Sequence, residues 1–215
     1  MKFLRHFFTI LLAFSLCSIV VSCAQDDDVA LDESVFEPNN PDIPKIMFTS
    51  ENASDDDFSF WIKTTDFILI DWGKGITDRY MPTSENGLLI KGQLAGHTVK
   101  IYTNDGATIK YLDLQGKRIK NIDFKNSVGL ETLLLNNNKV TTLDLSKNTS
   151  LKKINIEENN FKTEELDKTL QSLHKNNTVE NPGTITIGDG NDGNAKPTTS
   201  IVEGIQKLNW KVIQD

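Results

Sequence analysis

The reactive groups this chain offers are two thiols, three imidazoles and thirty carboxylates. One thiol is placed for chemistry. Cys23 ends a stretch that runs uncharged over residues 7–21, and its neighbours Ser22 and Ala24 are small. A thiolate there is a nucleophile. The imidazoles His97 and His174 fall in unrelated stretches, without HxH, HExxH or Cys/His metal spacing. No GxSxG elbow, phosphate-cradling glycine loop or GxGxxG is present, so neither metal nor cofactor is expected. Gly188, Asp189, Gly190, Asn191, Asp192, Gly193 and Asn194 gather the oxygens that calcium wants. An EF-hand-like loop, however, would have glycine where Asn194 stands and would close on a glutamate. We read it as a turn, with calcium the alternative.

The elements around Cys23 explain its setting. Lys2 and Arg5 precede the apolar run, whose fifteen residues suit a signal peptide better than a bilayer span of about 20 residues. Val20-Val21-Ser22-Cys23-Ala24 resembles the lipobox of bacterial lipoproteins. That resemblance implies diacylglycerol on the Cys23 thiol, cleavage before it and acylation (palmitate-like chains) of the new amine. An ordinary cleaved signal and an uncleaved anchor are the alternatives. Gln25-Asp26-Asp27-Asp28 is similar to the acidic export signal of Bacteroidetes lipoproteins, which implies a place in the outer membrane facing the cell exterior.

Removing residues 1–22 leaves 193 of 215 and takes the formal charge from −7 to −9. With Cys17 gone and Cys23 acylated, no thiol remains for a disulfide, and the core alone must hold the fold. The acidic balance argues against nucleic acid as a partner. Residues 23–43, acidic and containing Pro38 and Pro41, read as a disordered tether. Residues 44–105 read as a small antiparallel β unit, with strands at 46–48, 58–63, 67–71, 88–91 and 99–102 parted by turn residues. Its Ile70-Asp-Trp-Gly-Lys-Gly75 faintly resembles β-sandwiches of the polycystic-kidney-disease type, although Lys74 stands where that family has aspartate.

Residues 106–215 carry a period of 21. Ile109, Leu130 and Leu151 share it, as do Leu112, Leu133 and Ile154; Leu114, Leu135 and Ile156; and Ile119, Val140 and Phe161. Leu130 to Val140 reads LxxLxLxxNx with an apolar last position, and Asn159 recurs 21 residues after Asn138. Lys117 replaces the first asparagine. This resembles the leucine-rich repeats of Bacteroidetes surface proteins and, more loosely, of internalins. The first half of each repeat is taken as the main sheet. A helix from Thr163 to near Lys175, a strand at 184–187, a helix opened by Ser200 and Glu203 as a capping box, and a strand at 210–213 complete the chain. The fold expected is α/β: a short leucine-rich-repeat solenoid with a C-terminal αβαβ cap, preceded by the antiparallel β unit.

Function is expected on the outward positions of the repeat strands, since the inward ones fill the core. These are Tyr111, Asp113, Thr132, Leu134, Asn136, Lys153 and Asn155, with Gln115 and Glu157 beside them. Leu134, apolar at the centre of a polar rim, is the anchor such a face would use. Asp113, Asp123 and Asp144 recur on the repeats as a conceivable acid/base set, but outward-facing strand residues are the plainer reading. Trp61 is either a platform for a sugar ring or core, and core is the reading taken, as for Trp72 and Trp210. The expectation is a monomeric surface lipoprotein, not an enzyme, that binds an extracellular protein or glycan and touches the membrane through its Cys23 lipid. A glycan-degrading enzyme or an accessory glycan-capture lipoprotein is the rival.

Overall fold

Alternation of apolar and polar side chains builds the first strands. In Asp57–Thr64 (β2), Phe58, Phe60 and Ile62 are buried while Trp61 is exposed, the period of two that puts one face on a core. In the computed structural model, the residues described are 36–215, except Ile76, residues 83–85 and 176–181, Asn191, Asp192 and Asp215. Cys23, the signal segment and the start of the acidic spacer lie outside them. The described residues belong to one compact unit.

Among the described residues, twelve strands form two sheets. The smaller joins Ile46–Ser50 (β1), Ile68–Asp71 (β3), Thr77–Tyr80 (β4), Thr98–Tyr102 (β6) and Ile119–Asp123 (β8) in the order β4-β3-β6-β1-β8. The larger holds β2, Leu88–Gln93 (β5), Ile109–Asp113 (β7), Thr132–Leu134 (β9), Lys153–Asn155 (β10), Gly183–Thr186 (β11) and Trp210–Ile213 (β12). Its order is β12-β11-β10-β9-β7-β2-β5. The strands from β7 onward run parallel, whereas β2 pairs antiparallel with both β7 and β5. Phe48 of the smaller sheet meets Phe58 at 5.8 Å and Phe60 at 6.0 Å, ring centre to ring centre, and Trp72 closes the cluster. Gly92 is required there, because a Cβ on it would lie 2.2 Å from the Trp72 ring.

This arrangement corrects the α/β expectation of a short repeat solenoid with an αβαβ cap behind a separate β unit. The protein is mostly β: two sheets of five and seven strands, and two helices among the described residues, Thr163–Gln171 (α1) and Thr199–Lys207 (α2). The first repeat does not begin a free-standing stack. Its strand β7 has an edge whose N–H and C=O groups need partners, and β2 fills it from the N-terminal side. Its second half, β8, pairs with β1 in the other sheet. Nor do the last elements cap a solenoid, since β11 and β12 continue the large sheet in parallel. The capping box is absent as well: α2 begins at Thr199 without a side-chain cap bond, and the preceding Thr198 donates its N–H to Asp167 of α1 at 2.8 Å.

The period of 21 is realised as register. Leu112 pairs with Leu133, and Leu133 with Ile154, and all three are buried. Buried asparagines satisfy the turns between repeats. Asn138 Oδ1 accepts from the amides of Lys117 (3.0 Å) and Ile119 (2.8 Å), while its Nδ2 donates to Leu114 O and Leu135 O. Asn159 accepts from Val140 N and donates to Leu135 O and Ile156 O. Asn194 makes the next rung, accepting from Phe161 N and donating to Ile156 O and Ile187 O. Where Lys117 breaks the series, the Ser50 hydroxyl from β1 donates to Lys117 O. On the other side of the repeats, Ser127, Asn148 and Thr169 are buried at the same spacing. There Asn148 donates to Phe124 O and Ser127 O, and Thr169 to Leu143 O.

The first described residues lie against this core. Glu37 N donates to Asn126 Oδ1, and Gly106 N to Pro38 O. Lys45 is buried and its ammonium donates to the carbonyls of Asn40 and Ile43. Burial lowers its pKa, partly offset by Asp105, Asp42 and Glu37.

Candidate functional site

Pairing across the large sheet brings the predicted face together and extends it. One row of outward positions holds Lys63, Tyr111, Thr132, Lys153, Thr184 and Lys211, each opposite the next across β2, β7, β9, β10, β11 and β12. The adjacent row holds Trp61, Asp113, Leu134 and Asn155. It continues to Thr186 and Ile213 on one side and to Leu89 on the other. Strands lie about 4.8 Å apart, so each row crosses the sheet at one side chain per strand. Asn136 sits beyond Leu134, joined to Gln115 by a 3.4 Å hydrogen bond.

All seven expected repeat-face residues therefore lie on one surface. Lys153 is exposed; Tyr111, Asp113, Thr132, Leu134, Asn136 and Asn155 are half-buried by their neighbours in the sheet. The face has fixed polar groups. Asp113 accepts from the Tyr111 hydroxyl at 3.2 Å, from Gln115 Nε2 at 2.9 Å and from Gln115 N at 3.1 Å. Burial, then the Asp113 charge and its hydrogen bond, push the Tyr111 phenol up to about 12. It stays a neutral donor at any physiological pH.

Trp61 is where the sequence reading fails. It is 45% exposed, with Leu89 opposite it at 37%, whereas Trp72 and Trp210 are buried as expected. The apolar strand that seemed able to cover it, β3, belongs to the other sheet. The repeat signal ends at Ile109, and so gave no sign that β2 and β5 widen the same face.

The chain matches no family model. No curated protein matches it either. Among solved structures it is similar to the functional domain of InlJ from Listeria monocytogenes, described as including a cysteine ladder. The likeness is weak. Identity is 26%, the TM-score is 0.29, and the match covers 43% of this chain and 20% of that one, so it spans about a fifth of the solved InlJ chain.

The carboxylates weighed as an acid/base set do not share a site. Asp113 lies on β7 of the larger sheet and Asp123 on β8 of the smaller. Each of the three accepts from the amide two residues on, Gln115, Lys125 and Ser146 in turn, and so shapes its own turn. His97 Nδ1 and His174 Nε2 contact the backbone carbonyls of Ser50 and Ser146. Of the turn for which calcium was the alternative reading, Asn191 and Asp192 lie outside the described residues, and Asn194 is spent on its ladder bonds. Among the described residues no group of three or more His, Cys, Asp or Glu could hold a metal ion. No helix among them is long and apolar enough to cross a membrane. A polar depression of about 470 Å³ lies at the turn edge, lined by Gly116, Arg118, Asn137, Lys139, Glu158 and Asn160 together with the ladder asparagines Asn138 and Asn159.

Proposed function

We propose that this chain is a surface lipoprotein of the Bacteroidetes type, held in the outer membrane through Cys23, that binds an extracellular macromolecule through the outward face of its larger sheet. It is a binding protein, not an enzyme. The observation that carries the reading is the unbroken row Trp61, Asp113, Leu134 and Asn155. It presents two apolar groups, Trp61 and Leu134, within a rim of hydrogen-bonding side chains. A few central apolar anchors inside a polar rim dominate the energetics of most interfaces. The lipobox-like residues around Cys23 support the anchor, and the acidic Asp26-Asp27-Asp28 supports outward export.

Leu134→Glu puts a charge at the centre of the face without touching the core. On a glycan array and on labelled cells, targets bound by the wild type should be lost while the melting temperature is kept. Unchanged binding by Leu134→Glu, Tyr111→Ala and Trp61→Ala alike would show that this face is not the site.

The anchor has its own test. Cys23→Ser should leave the protein unacylated and its segment 1–22 uncut, because the thiol that takes the lipid is gone. Labelled palmitate incorporated by the variant at the wild-type level would contradict the lipoprotein reading.

A further inference from the structure

The row beside Trp61 carries three lysines and no acid. Lys63, Tyr111, Thr132, Lys153, Thr184 and Lys211 cross six strands without one carboxylate, in a protein of net charge −7. On the neighbouring positions of the repeats the cations are matched: Lys152 and Lys110 share Glu131, and Lys125 meets Asp123. The ammonium groups of Lys63, Lys153 and Lys211 make no ion pair or side-chain hydrogen bond among the described residues. Asp113, the carboxylate in the adjoining row, already accepts three hydrogen bonds from its own strand and turn.

We propose that this row binds a linear acidic polysaccharide, running across the strands with one sugar stacked on Trp61 and its carboxylates or sulfates on Lys63, Lys153 and Lys211. The inference rests on the face reading above and names its ligand. Lys153 and Lys211 are two strands apart, on the order of 10 Å, and Lys63 and Lys153 three strands apart, roughly 14 Å. Strand spacing is close to the advance of one sugar along an extended glycan, so the lysines meet charges that recur every second or third residue. Between them stand the hydroxyls of Tyr111, Thr132 and Thr184, which serve sugar hydroxyls. Trp61 and Leu89 lie opposite each other and exposed, and an exposed indole ring is the surface on which a pyranose C–H face stacks.

The test is affinity electrophoresis of the full-length protein in mild detergent, through gels containing polygalacturonate or chondroitin sulfate. At least one polymer should retard the wild type. Retardation should weaken with salt, since exposed charges are screened. Fully methyl-esterified polygalacturonate, the same chain without its charges, should not retard it. The triple variant Lys63→Gln, Lys153→Gln, Lys211→Gln should bind roughly tenfold more weakly, as three exposed ion pairs together imply. Trp61→Ala should also bind roughly tenfold more weakly, and both variants should keep the wild-type melting temperature. Absence of retardation by both polymers, equal retardation by the esterified one, or equal binding to poly-glutamate or to single-stranded oligothymidylate overturns the proposal. Polymer binding untouched by the lysine, Trp61 and Leu134 substitutions overturns the face reading too. Array targets that need Trp61 and Leu134 but not the lysines leave the face standing and sink the acidic glycan.

Discussion

Leu133→Ala should destabilise the protein by about 2–5 kcal/mol, the cost of a large-to-small change in a close-packed core. Leu133 is wholly buried between Leu112 and Ile154, its register partners on either side. The cavity therefore opens in the middle of the parallel strands, where neighbours on three strands would have to move to refill it. Thr132→Ala, one position away on the outward face, should change stability by only about 0.5 kcal/mol. Urea unfolding of the two variants checks the pair, and comparable losses would mean that the inward and outward positions are exchanged.

Asn138→Ala should cost on the order of 3 kcal/mol or more, because it strands several buried backbone groups at once. The amides of Lys117 and Ile119 lose their acceptor and the carbonyl of Leu114 loses its donor. Leu135 O is spared, because Asn159 Nδ2 also reaches it. Asn136→Ala, in the same run of three asparagines, is the control. Its side-chain bond to Gln115 is long and exposed, and its loss should lower stability by no more than about 0.5 kcal/mol. Equal midpoints for the two variants in thermal unfolding would refute the ladder as a source of stability.

The contrast between these asparagines shows what the sequence could reveal. A period of 21 marked Asn138 and Asn159 because identical backbone turns need identical partners. Asn194 does the same work but reads in the sequence as part of a turn, since α1 and the following residues stretch its distance from Asn159 to 35 positions and hide the period. Ser127, Asn148 and Thr169 keep the spacing but not the residue type: Asn148 and Thr169 donate to backbone carbonyls, whereas the Ser127 hydroxyl is buried without a partner. The inward positions were legible for a simple reason: apolar side chains recur wherever the core recurs.

The sheet order was not legible, and with it went the fold class. Which strand meets the free edge of β7 is decided by a pairing between residues some fifty positions apart, and neither β2 nor β7 carries a residue that names its partner. Alternation in β2 correctly put Trp61 opposite Phe58, Phe60 and Ile62. Whether a further layer covered it depended on where β3 went. Strand β4, Thr77–Tyr80, was missed because its Thr-Asp-Arg-Tyr has no apolar alternation. It is an edge strand with three exposed residues.

The claim that strands from both halves of the chain make one binding face is tested most directly by amide chemical-shift mapping of the isotope-labelled full-length Cys23→Ser chain, titrated with polygalacturonate oligosaccharides. The account predicts shifts at Trp61, Lys63, Tyr111, Asp113, Lys153 and Lys211, residues scattered along the sequence and joined only by the register of the large sheet. Shifts confined to the turn edge at Gly116, Asn137 and Glu158, or to the outer strands β4 and β3 of the smaller sheet, would contradict it.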